Sequence, residues 1–377
     1  MNENMLSKLP NFLTNIVTLN LVIFILLGAT PSVNVPTMIS FVGIIFLVFL
    51  VFFGKRRARV GLLGYELFLL TFVCYASIVT LINDPNILLF LRNGAFLLIL
   101  PLFIWVKSSK FHLSGRLNFD VMLPLLQLVT IVKMIIFERP QLQGFRLFLD
   151  DYNIADSAVI FMFCLGLISG QLFSRILSFV LFIMVLGFGI RLNSLIMFSF
   201  LTLWMASSRK GRAVLLSFSI FGLFLAPSLN LNNLFVVEKF LKYGSSYKVN
   251  EISLLFSQLD FSTFLFPHGL SHGFVLGVFG DSVYFSHFFV LYMLTCLGFV
   301  GLIFIVYIVY LLIVSSYLAI KTKEPQMRWM ILSISASLIP ALTLQASYKS
   351  LTFFGLVYAL ACIVSPGTFD GRKHRFA

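Results

Sequence analysis

The chain has 377 residues, 59% of them hydrophobic and 11% charged, and 27 Lys and Arg against 14 Asp and Glu leave a net charge of +13. An average soluble protein carries roughly 25% charged residues, and a water-soluble fold would leave this much apolar surface in large sticky patches. A bilayer accommodates it, provided every backbone polar group finds a partner within a helix or a closed barrel. The apolar runs are continuous and about 15–25 residues long, whereas barrel strands would alternate in polarity. The expected fold class is therefore all-α membrane, one integral domain over residues 1–377 with about 12 transmembrane helices.

In chain order the expected spans are residues 12–29, 36–54, 60–82, 94–106, 119–137, 154–173, 176–190, 193–207, 213–226, 288–319, 329–347 and 351–365. The start, MNENMLSKLPN, enters the first apolar run without a small-residue cleavage site, so that span is expected to be retained. With the N-terminus in the cytoplasm, the clusters Lys55 to Arg59, Lys107 to Arg116, Arg209 to Arg212, Lys321 to Arg328 and Arg372 to Arg375 share one side. About 18 of the 27 basic residues then face the cytoplasm and about 8 face outward, the positive-inside bias. The charge is thus a topology signal, placing both termini in the cytoplasm, and it argues against nucleic acid as a partner. Cys74, Cys164, Cys296 and Cys362 lie within apolar runs with no metal or disulfide spacing, and read as small core residues.

Most connections are short, but three outward segments are not. Asn83 to Asn93 is amphipathic, and residues 138–153 (ERPQLQGFRLFLDDYN) form a polar loop with Arg139, Arg146, Asp150 and Asp151. Residues 227–287 make a loop of roughly 60 residues, far beyond the usual 2–8 of a helix connection. Rich in Leu, Phe and Tyr, it is expected to be ordered, with short interfacial helices at Leu234 to Tyr243 and Ile252 to Phe261. No internal repeat is present, and the spans lack the discontinuous, Gly/Pro-broken pairs of many transporters. Pro101, Pro124 and Pro340 are isolated and read as ordinary kinks.

Arg191 lies between two short apolar segments, in Gly187-Phe-Gly-Ile-Arg191-Leu-Asn193-Ser194, at the outer membrane surface. A guanidinium near hydrocarbon is either a functional group, suited to clamp a phosphate, or one that snorkels to the headgroups. Arg146 could hold a second phosphate oxygen or pair with Asp150 and Asp151. Lys239, Lys242 and Lys248 with Tyr243 and Tyr247 form a basic-aromatic patch, fit for a phosphate or sugar or for anionic lipid heads. His268, His272, Asp281, Tyr284 and His287 make the densest polar constellation. Gly269 and Gly273 argue for a turn there rather than a zinc-binding helix, so a general base or a sugar site is expected and no metal. Any one of these histidines could equally be structural. Glu66 and Lys133 sit at membrane depth and either pair with each other or mark a proton path.

In the order of these features the chain resembles the O-antigen polymerase (Wzy) and O-antigen ligase superfamily of bacterial envelope glycosyltransferases. Three stretches carry the resemblance: Arg146 to Asn153 ahead of the helix at Ile154; Gly189-Ile-Arg191-Leu-Asn-Ser-Leu, where the family's usual serine is Ile190; and Gly269 to Gly277 with Asp281-Ser-Val-Tyr284 and Leu297-Gly298-Phe-Val-Gly301-Leu. The resemblance implies a GT-C-like bundle in the inner membrane with its large loop in the periplasm. It implies metal- and cofactor-free transfer of an oligosaccharide from polyprenyl diphosphate to an acceptor sugar hydroxyl. Arg191, then Arg146 and Lys248, would stabilise the departing diphosphate, and Asp281, Tyr284 or His287 would take the hydroxyl proton. His287 matches the ligase branch and Asp281 with Tyr284 the polymerases. Polymerisation of repeat units is the leading expectation, with membrane lipids and a chain-length regulator as further partners. Ligation to lipid A-core is the alternative within the class. A lipid-linked oligosaccharide flippase is the alternative outside it, disfavoured by a span interior nearly free of charge.

Overall fold

The computed structural model describes residues 11–28, 63–85, 100–108, 119–136, 141–143, 146–148, 157–187, 191–225, 252–253, 255–257, 259–272, 274–275, 282–283, 288–343 and 351–365. The expected span at 36–54, the segment 234–243 and most of Asn83 to Asn93 lie outside them. The described chain is helical apart from two small antiparallel hairpins. Helices α1 (Asn11–Gly28), α2 (Gly64–Asn83), α3 (Leu100–Ser108) and α4 (Phe119–Ile136) come first. The hairpin of β1 (Gln141–Gln143) and β2 (Arg146–Phe148) gives the polar loop after α4 a regular form that its sequence does not announce. Then follow α5 (Ser157–Ile168), α6 (Leu172–Gly187), α7 (Arg191–Ala206) and α8 (Arg209–Leu225). After α9 (Phe261–Leu265), β3 (Phe274–Val275) and β4 (Ser282–Val283) come α10 (Phe289–Lys321), α11 (Pro325–Thr343) and α12 (Leu351–Val364).

Two of these helices, Gly64–Asn83 and Phe289–Lys321, are long and apolar enough to cross a membrane. Around them the core is built from helices that are buried all round. Residues 13–21 of α1, 159–167 of α5 and 353–363 of α12 are buried on every side. The stretches in α5 and α12 are apolar all round and have no polar stripe to turn outward, which suits the centre of a bundle, whereas α1 buries Thr14, Asn15, Thr18 and Asn20 as well. The surrounding helices also present apolar residues outward: Leu67 and Ile78 on α2, Ile183 on α6, Leu203 on α7 and Ile313 on α10 are all more than half exposed. Cys74 is exposed on α2, which corrects the reading of all four cysteines as core residues; Cys164, Cys296 and Cys362 are buried.

Side-chain contacts fix which helix ends lie together. Phe72 stacks on Phe304 at 3.9 Å and Phe68 meets Tyr307 at 4.8 Å, so α2 runs antiparallel to α10. At the C-terminal end of α10, the Arg328 guanidinium donates to the Thr322 carbonyl, and Trp329 packs edge-on against Phe200 of α7. Arg175 of α6 donates to the Leu167 carbonyl and lies 5.4 Å from the Trp204 ring. Lys107, Arg175, Arg209, Lys210, Arg212, Lys321, Lys323 and Arg328 therefore gather at one end of the bundle. The start of α7 at Arg191, the end of α2 and the start of α10 lie at the other.

At the basic end a buried carboxylate sets the packing. Glu66 accepts from Lys107 Nζ at 2.7 Å, from the Tyr358 hydroxyl at 2.6 Å and from the Leu63 amide at 2.9 Å. Lys107 also donates to the Tyr65 hydroxyl, which lies 3.3 Å from Cys362 Sγ. Lys107, at the end of α3, is thus a partner of Glu66 that the sequence reading did not name, and the side chain of Lys133 lies outside the described residues. Each polar atom of the cluster finds a partner, as a buried charge requires.

Candidate functional site

The site at the opposite end is built on a broken helix. An unbroken α10 of 33 residues would be about 50 Å long, against roughly 30 Å of hydrocarbon. Gly298, at φ 57° and ψ −135°, interrupts it and leaves residues 299–321 as a straight segment of about 34 Å. Only glycine adopts that conformation without strain. The absence of a side chain is required a second time by space, since a Cβ at Gly298 would stand 2.3 Å from the Phe264 carbonyl oxygen. Past the break the chain also passes so close to its first half that a Cβ at Gly301 would meet the Met293 oxygen at 2.2 Å.

A break in a helix frees carbonyls that need donors, and the loop before α10 supplies them. Asp260 caps α9, its Oδ1 accepting from the Thr263 amide at 2.6 Å and from the Thr263 and Ser262 hydroxyls at 2.7 Å each. These bonds pull its carboxyl down to about 2, which makes it a poor proton acceptor. Beyond α9 the chain turns along the break. The His268 amide donates to the Thr295 carbonyl at 3.4 Å and the Gly269 amide to Cys296 at 2.8 Å. The Leu270 amide donates to Thr80 Oγ1 at 2.9 Å, while its carbonyl accepts from the Tyr292 hydroxyl at 3.1 Å. Asn83 of α2 donates to the Pro267 carbonyl at 3.1 Å. Gly269, at φ 83°, lies so close to α2 that a Cβ would sit 2.7 Å from the Thr80 Cα. One turn thus ties the end of α2 to the break in α10.

This turn carries His268 and His272, as a turn rather than the helical pair a zinc site would need. Their rings stack 4.3 Å apart, tilted by 19°, and both are half-buried. Burial, and then the neighbouring His268, lower the proton affinity of His272 below the ordinary imidazole value. Two imidazolium charges at this separation would repel by about 4 kcal/mol at an effective dielectric of about 20, and by less where water screens them. The close stack therefore acts on His272 in the same direction as burial. Between them Ser271 is 4% exposed, and its hydroxyl has no hydrogen-bond partner.

Arg191 opens α7 at this same end, and Arg146 opens β2 opposite Gln143. The course of their side chains lies outside the described residues, as do Lys248, Asp281, Tyr284 and His287 in full. Two residues into α7, Asn193 is fully buried with neither end of its amide hydrogen-bonded, a feature the sequence reading passed over in favour of the arginine. The break at Gly298 was also missed: a glycine in a 33-residue apolar run looks like a small packing residue, and its partners lie about 30 residues upstream. Helical residues occur at 252–253 and 255–257, within the stretch expected to be helical, and Asp260 then caps a separate helix that starts at Phe261. Among the described residues no group of three or more His, Cys, Asp or Glu is placed to hold a metal ion. Compared with known proteins, the chain matches no family model and no curated relative.

Proposed function

We propose that the chain is a polytopic protein of the bacterial inner membrane that polymerises lipid-linked oligosaccharide repeat units at its periplasmic end. The apolar outward surface supports the membrane reading, because water would not tolerate it and lipid would. The gathering of basic residues at one end supports a cytoplasmic placement of that end. The observation that carries the catalytic reading is the anchored turn at the other end. It holds two imidazoles in a fixed, half-buried position at the end where α7 begins with Arg191.

In this reading Arg191, with Arg146 and Lys248, binds the diphosphate of a polyprenyl-diphosphate-linked oligosaccharide and offsets the charge that develops as it leaves. The loop's ionisable residues, Asp281, Tyr284 and His287 together with His268 and His272, are the candidates for accepting the proton of the attacking sugar hydroxyl. Neither a metal nor an organic cofactor is needed, and a chain-length regulator is a natural partner for such a polymerase. Deleting the gene tests the reading in cells. A polymerase deletion leaves surface polysaccharide of a single repeat unit; an undisturbed ladder would rule polymerisation out. Loss of the single-unit band as well would point to ligation onto lipid A-core.

A further inference from the structure

Resting on the polymerase reading, we infer that His272 takes the proton of the acceptor hydroxyl, with His268 stacked beside it as a positioning residue. The argument starts from the backbone. The turn is held by hydrogen bonds to Thr80 and Asn83 of α2 and to Tyr292, Thr295 and Cys296 of α10, so the imidazoles ride on a fixed frame. A general base must be held within hydrogen-bond reach of one atom, and a frame anchored to two helices meets that need better than a free loop. The rings lie face to face, so each presents its nitrogens at its edges. Ser271, next to His272 in the chain, is buried and its hydroxyl has no hydrogen-bond partner, so the turn carries a polar group with an unmet bond.

Charge sets the protonation state. Among the described residues the ionisable groups nearest the turn are Asp84 after α2, Asp260 before α9, Tyr292 and Cys296 on the first half of α10 and His268 on the turn itself, while Glu66 and Lys321 lie at the other end of the same helices. Asp260 is committed to its helix cap, and the Tyr292 hydroxyl to the Leu270 carbonyl. Burial and the stacked His268 favour neutral His272, the form of an imidazole that can accept a proton. In the step itself, the acceptor oxygen forms its bond to the anomeric carbon while the bond from that carbon to the phosphate oxygen breaks. The electrons of the broken bond leave with polyprenyl diphosphate. The hydroxyl proton passes to a His272 ring nitrogen and from there to solvent.

The test is elongation of purified lipid-linked repeat units by the full-length protein in liposomes, measured against pH. Wild type should lose rate as pH falls through a limb below about 6.5, where His272 becomes protonated. His272→Gln should slow elongation on the order of 100-fold and abolish that limb. His268→Phe keeps an aromatic ring on the stack but removes the electrostatic influence that His268 exerts on His272, so the proton affinity of His272 rises and the limb moves to higher pH. A His272→Gln protein that elongates at the wild-type rate with the same limb would overturn the inference and leave the polymerase reading standing. A limb that stays put or moves down in His268→Phe would overturn the positioning role, and would do so even if His272→Gln failed to fold. Wild-type protein that elongates nothing would sink the polymerase reading itself.

Discussion

At the scale of single residues, the account turns on positions where a side chain would not fit or a polar group has a defined partner. Gly298 is the sharpest. Its positive φ alone would strain an alanine by about 1–3 kcal/mol, and the clash with the Phe264 carbonyl adds to this. Gly298→Ala should therefore lower the thermal stability of the detergent-solubilised protein clearly, while Gly64→Ala, whose Cβ would meet nothing within 4 Å, should leave it nearly unchanged. Equal melting temperatures for the two variants would refute the strained break. Glu66 and Lys107 form the second case. Breaking a buried ion pair by removing one partner costs about 3–5 kcal/mol, whereas removing both can be nearly neutral. Lys107→Ala should thus destabilise more than the double variant Glu66→Gln/Lys107→Gln. If the pair is structural, the double variant still elongates glycan; if it lies on a proton path, elongation should stop in both.

At the scale of elements, the unit that matters is the turn at 267–272 with the end of α2 and the break in α10. Thr80 joins them, its hydroxyl donating to the Ala76 carbonyl at 2.6 Å and accepting from the buried Leu270 amide at 2.9 Å. Thr80→Val keeps the shape but leaves that amide without an acceptor, a cost of about 1–3 kcal/mol. The turn should then exchange its amide hydrogens faster than in wild type, while Thr80→Ser keeps its protection. Protection unchanged in Thr80→Val would show that this bond does not anchor the turn. Little of the unit is legible in the sequence. Gly269 and Gly273 announce a turn, but nothing near them says that its amides complete a helix some 30 residues later. Long-range partners of this kind leave no periodic trace. The helices themselves are far more legible: every expected span that falls among the described residues has a helix at its place, because length and hydropathy are local properties.

At the scale of the whole molecule, charge and apolar surface carry the argument. Basic residues from several helices end up at one end although they are far apart in sequence, and the direction of each helix makes this so. The partner of Glu66 was not legible, since the sequence puts Lys107 in a cytoplasmic basic cluster and only the packing of α2 against α3 brings it to the carboxylate. Topology can be tested with single cysteines in a background lacking the four native ones. Ser262→Cys, on the exposed face of the anchored loop, should react with a membrane-impermeant maleimide from the periplasm, and Lys323→Cys only after lysis. The reverse pattern would invert the molecule and remove the outer-face site. The most direct test of the central claim is elongation by the purified protein given lipid-linked repeat units alone. Wild type should build a ladder of glycan lengths, and folded Arg191→Ala should build none. No ladder from wild type, or an unchanged ladder from Arg191→Ala, would contradict the account.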